Sequence, residues 1–91
     1  MAASALKLPI GNLIEPEAVV RSAAELGAAV RARRKRLALK QLDIAGMGNT
    51  GNRFIVDLEG GKPTVQLQKV LDILDLLGLE LVLRTKSGRG L

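Results

Sequence analysis

The stretch "GMGNTGNRFIVDLEGGK", residues 46–62, admits two incompatible readings. Its first six residues match G-x-G-x-x-G, the spacing of a dinucleotide-binding loop. The same residues fit the turn and second helix of a DNA reader. The first reading requires a strand directly before the glycines, a helix directly after, and a doubly wound sheet around both. What precedes them is "RKRLALKQLDIA", a strongly basic, helix-like run. A chain of 91 residues also lacks the several βαβ repeats of such a sheet. A P-loop fails at two positions. Counting back from Gly61 and Lys62, its first glycine falls on Val56, and Pro63 takes the hydroxyl position.

The second reading needs a short helix, a turn of about 3–4 residues and a helix offering polar groups to the major groove. Residues 41–47, 48–50 and 51–59 supply these, and Gly60-Gly61 ends the second helix with left-handed backbone. Phe54, Ile55 and Leu58 are its core candidates.

Working outward, Ser22-Ala-Ala-Glu25 fits a capping box that opens a helix over about 23–37. Leu26, Ala29 and Val30 face its core side, and Arg31, Arg33, Arg34, Lys35 and Arg36 crowd its C-terminal half. Cations there complement the negative end of the helix dipole. Downstream, Thr64 is a cap candidate for a helix over 65–77, with Leu67, Val70, Leu71, Leu74 and Leu77 in one stripe. Ile73 and Leu76 widen that stripe, which points to a partner subunit. "LELVLR", residues 79–84, alternates as a strand and needs a second strand, from the N-terminal arm or from another chain. The chain thus divides into an arm (1–21), a helix-turn-helix domain (22–78), a dimerisation strand (79–84) and a basic tail (85–91).

Composition narrows the function. Phe54 is the single aromatic residue, and the formal net charge of +5 favours a polyanion or an acidic surface as partner. Cysteine and histidine are both absent, which removes thiolate and imidazole metal sites and His-based catalysis. We expect no enzyme, cofactor or metal. No run approaches the roughly 20 apolar residues of a membrane span, and the N-terminal residues do not read as a signal peptide. A cytoplasmic, nucleoid-associated protein is expected.

"LKQLDIAGMGNTGNRFIVDLEGGKP", residues 39–63, resembles the lambda-repressor and Cro type of helix-turn-helix, and within it the HipB-like antitoxins. The agreeing features are Gln41 opening the first motif helix, Ala45 four residues on, "RFI", "DLE" and "GKPT"; "VQLQKVLDILDLLGLEL" resembles the family's fourth helix and C-terminal strand. The resemblance covers residues 22–84. It implies a mainly α fold of four to five helices, with a C-terminal β-strand paired across a dimer. It implies base contacts from Gly51, Asn52, Arg53 and Asp57, and phosphate contacts from Lys40, Gln41 and Lys62. It implies an ion pair between Arg34 and Glu59, tying the first helix to the end of the third. Ile73, Leu76, Leu79, Leu81 and Leu83 would form the dimer interface. The implied partners are operator DNA, a second copy and a HipA-like serine/threonine kinase toxin.

Five positions depart from the family pattern. Ala38 stands where the family has a helix-ending glycine, and Lys40 where it has a small polar cap. Gly46 replaces a better helix former, Asn49 occupies the turn-glycine position, and Gly60 replaces a polar residue. Those at Lys40, Gly46 and Gly60 support one alternative, an interaction module that keeps the fold with little DNA affinity; a plain repressor without a toxin partner is a second alternative.

Overall fold

Four helices follow one another in the computed structural model, which describes residues 17–86: α1 (Ala23–Arg36), α2 (Gln41–Met47), α3 (Asn52–Glu59) and α4 (Leu67–Leu76). Ser22 starts the first of them. Its hydroxyl accepts the Glu25 backbone N–H at 3.0 Å. The Glu25 carboxylate then reaches one residue further back than a capping box requires, to the Arg21 N–H at 2.6 Å. Residues 17–21 are not helical.

One core joins all four helices. Val30 enters it from α1, Ile44 and Ala45 from α2, Ile55 and Leu58 from α3, and Val70, Ile73, Leu74 and Leu77 from α4 and its end. Each is at most 5% exposed. Leu26, Leu39, Phe54, Val65, Leu71 and Leu79 pack half-buried around it. Phe54 is therefore a flank of the core and not its centre, and the Lys69 ammonium lies 5.6 Å from its ring centroid. Gly27 sets the distance between α1 and α3: a Cβ there would lie 2.4 Å from the Leu58 carbonyl oxygen.

All four helices end the same way. In each, the last turn closes with the paired backbone bonds of a Schellman motif, around a residue of positive φ. The bonds after α1 run from Leu39 N–H to Arg34 O and from Ala38 N–H to Lys35 O; the other three helices repeat the pattern. The four left-handed residues are Ala38 (φ 59), Asn49 (φ 53), Gly61 (φ 83) and Gly78 (φ 75). Gly60, expected to share this role, is right-handed with φ −80. Asn49 fills the position the resemblance gives to glycine, as an asparagine can at small cost. Ala38 fills its own with a Cβ that opposes it.

Three expectations at the C-terminal side need correction. Helix α4 starts at Leu67 with Gln66 as its N-cap (φ −67, ψ 122), and Thr64 sits in the preceding turn with Pro63. Val65 is instead drawn against the core, which delays the helix by two residues. The buried stripe of α4 is Val70, Ile73, Leu74 and Leu77, while Leu67 is 66% exposed. Ile73 is thus sealed inside its own protomer, 1% exposed, and cannot form a dimer surface. Leu79 also packs against that core. Leu76, Leu81 and Leu83 stay exposed.

No strand forms among the described residues; a pairing across two copies requires a second chain. Residues 79–86 instead lie near residues 17–21, joined by an Arg84 Nη1–Glu17 Oε1 pair at 2.8 Å. Residues 1–16 of the expected arm and 87–91 of the expected tail lie outside the described residues. Among the described residues no helix is long and apolar enough to cross a membrane.

Candidate nucleic-acid interface

Helix α3 buries Ile55 and Leu58 and turns the rest of its surface outward. Gly51 is its N-cap, without a side-chain cap bond. A Cβ at Gly51 would meet nothing within 4 Å, so the backbone there is open to a close approach. Asn52 and Arg53 follow on the exposed first turn. The Arg53 side chain is 85% exposed. An apolar residue shares this outward face: Val56, three residues beyond Arg53, is 40% exposed. Val56 is not among the contacts the resemblance implies. The signal was available, because Val56 falls outside the i, i+3 phase of Ile55 and Leu58.

Asp57 lies one turn behind Arg53. Its Oδ1 accepts the Arg53 Nε–H at 3.1 Å, and its Oδ2 lies 3.5 Å from Lys62 Nζ. Three residues expected to touch DNA separately are therefore linked to one another.

Beneath this face lies a buried polar cluster. Arg34 donates to both oxygens of Glu59, at 2.6 Å from Nε and 3.0 Å from Nη2. Its Nη1 donates to the Leu39 carbonyl at 2.8 Å, which pins the loop between α1 and α2. The two side chains are 10% and 3% exposed. Gln41 joins them: its Nε2 donates to Glu59 Oε1 at 3.0 Å. Burial pushes the Glu59 carboxyl upward, but the hydrogen bonds from Arg34 and Gln41 and the charges of Arg34 and Arg31 outweigh it, leaving the group below its ordinary value. The Glu59 hydrogen bond in turn raises Arg34 against the opposing effect of burial. Both groups stay charged near neutral pH. Gln41, expected as a phosphate grip, thus spends one amide N–H on locking the start of α2 to the end of α3.

Lys40 caps α2 in extended conformation and is exposed. Its ammonium cannot accept a bond, and the cap is completed from one side, by the Lys40 N–H to Asp43 Oδ2 at 2.7 Å. Lys62 is half-exposed at the far end of α3. The two lysines therefore flank the helix-turn-helix. Arg33, one of the cations crowding the C-terminal half of α1, has a specific role: its Nε donates to the Leu77 carbonyl at 2.8 Å and ties α1 to the end of α4. No local pattern announces a bond across 44 residues.

A two-helix motif with a polar outward face on its second helix defines a DNA-reading regulator. The comparisons agree. The chain is 51% identical over 59 residues to the uncharacterised HTH-type transcriptional regulator y4mF of Sinorhizobium fredii, covering 65% of this chain and 78% of that protein. It belongs to the helix-turn-helix-type transcriptional regulators. The fold matches HipB in a complex with an O4 20mer, at a TM-score of 0.72 and 20% identity, over 78% of this chain and 100% of that one. A second HipB complex, with an O2 20mer, and a structure named MDT Protein match at the same score and identity. No protein-family model matches the chain.

Proposed function

We propose that the protein is a homodimeric, sequence-specific DNA-binding repressor and the antitoxin of a HipA-like serine/threonine kinase. One observation carries the DNA reading: Asn52, Arg53 and Val56 lie exposed on the helix whose other face, Ile55 and Leu58, is sealed in the core. Amide, guanidinium and methyl groups are those that read adenine, guanine and thymine in the major groove. Lys40 and Lys62 stand at its two ends for the phosphates, with Gln41 and the backbone near Gly51 as further donors.

Dimerisation is supported by the exposed apolar side chains of Leu76, Leu81, Val82 and Leu83 and by residues 79–84, which form no strand among the described residues. It would set two copies of α3 about one DNA turn apart, near 34–36 Å, on a palindromic site. Residues 22–78 then read DNA and 79–84 join the copies. The likeness of the fold to HipB supports the antitoxin role. Such a protein works in the cytoplasm, on the nucleoid.

The test is binding to DNA from upstream of the gene across a salt series. Preference for that DNA is expected, with log K falling linearly with log salt as counterions are released. A flat salt response, or equal binding to random DNA, sinks the reading. A second reading, an interaction module with little DNA affinity, is favoured by the weak caps at Lys40 and Gly51, neither of which offers a side-chain acceptor. Copurification with a kinase, without any DNA shift at low salt, would select it.

A further inference from the structure

We propose that Asp57 reads no base and instead positions Arg53, whose guanidinium edge reads a guanine in each half-site. This inference rests on the DNA reading above and names what that surface recognises.

Three observations carry it. The first is the engagement of the carboxylate. A carboxylate in the groove can accept from cytosine N4, but each Asp57 oxygen already faces a cation, Arg53 on Oδ1 and Lys62 on Oδ2. Asp57 is also 20% exposed, against 85% for Arg53. The arginine stands forward and the carboxylate behind it.

The second is the atom that is held. Asp57 takes the Arg53 Nε–H. That bond leaves out the Nη1 and Nη2 edge, two parallel donors spaced for guanine O6 and N7. A long exposed side chain loses rotamer freedom when it binds. An arginine already restrained at Nε loses less. The three-residue cluster keeps one net positive charge, so the carboxylate does not present an unbalanced negative charge to the phosphates.

The third is that helix stability does not explain the pair. Arg53 lies in the first turn of α3 and Asp57 in its second half. Both signs oppose the helix dipole, and a cation N-terminal to its anion is the weaker order of an i, i+4 pair. The arrangement is unfavourable to the helix and favourable to a guanidinium held out from its start.

The experiment selects binding sites from a library of random-sequence DNA duplexes, using the full chain and three variants. The unsubstituted chain is expected to enrich a two-fold symmetric motif with a fixed guanine in each half. Arg53→Ala should erase preference at that guanine alone, by roughly 5- to 150-fold. Asp57→Ala should weaken preference at the same guanine, by about tenfold, while overall low-salt affinity holds or rises because a negative charge is lost. Asp57→Glu should restore part of the preference. Replacing the guanine with 7-deazaguanine should weaken the unsubstituted chain and leave Arg53→Ala unaffected. If Asp57→Ala does not fold by its thermal transition, Asp57→Leu, which fills a similar volume without an acceptor, replaces it with the same expectation. Loss of preference at a different base in the Asp57 variants would make Asp57 a direct reader and overturn the proposal. So would an Arg53→Ala motif that keeps the guanine. A chain that enriches no motif fails the DNA reading itself, a separate outcome.

Discussion

At the scale of the residue, the Arg34–Glu59 pair is the most consequential contact. Two buried charges are worth little as a pair, yet removing one leaves the other uncompensated, at about 3–5 kcal/mol. Glu59→Ala is therefore expected to destabilise the fold by that amount in urea unfolding, freeing the Gln41 amide and leaving Arg34 with only the Leu39 carbonyl. The pH dependence has a definite sign. Glu59 titrates below its ordinary 4.5 in the folded chain, so the unfolded chain takes up its proton first as pH falls. Its contribution is complete above about pH 4.5 and is lost as pH drops through the folded value. Glu59→Gln should flatten the stability curve in that acid window, as followed by urea midpoints against pH. The sequence offered this pair through family resemblance. It offered no sign that Gln41 and Leu39 complete the cluster, because partners 18 and 5 residues apart meet only once α1, α2 and α3 have packed.

Helix ends dominate at the scale of the element. The left-handed region costs a residue with a Cβ about 1–2 kcal/mol, and Ala38 bears that cost at φ 59. Ala38→Gly should stabilise by about 0.5–1 kcal/mol, the relief of strain less the greater freedom of the unfolded glycine. Gly46→Ala in α2 should stabilise by about 1 kcal/mol, because its Cβ meets nothing within 4 Å. For a domain of this size each change amounts to a rise of roughly 4–8 °C per kcal/mol in the thermal midpoint. Gly27→Ala carries the same chemical change with the opposite sign: its Cβ runs into the Leu58 and Glu59 carbonyls, and overpacking of this kind costs about 1–3 kcal/mol. Calorimetry of the three variants separates a glycine that weakens a helix from one that lets two helices touch. Helix existence was legible throughout, since capping and periodicity are local. The onset of α4 was not: Thr64 is a sound cap by local chemistry, and burial of Val65 overrode it.

For the whole molecule, the apolar surface divides between a sealed core and an open rim. Leu83 is 89% exposed and Ile73 is 1% exposed, though one helical stripe and one alternating segment had placed both at a dimer interface. On the proposed dimer, Leu83→Asp should shift the sedimentation profile to monomer and leave the helical circular dichroism intact. Ile73→Asp should unfold the protomer, because it buries an unpaired charge. If Leu83→Asp remains dimeric, the interface lies elsewhere.

By itself the sequence determined that four segments would be helices, where the helix-turn-helix lies, and which helix offers polar groups outward. Spacing, caps and turn residues act within a few positions, and they are written there. Tertiary structure alone decided that Gln41 serves Glu59, that Arg33 closes α4, and that Ile73 belongs to one core. Each of those depends on the phase with which one helix meets another, and packing fixes that phase only when every helix is in place.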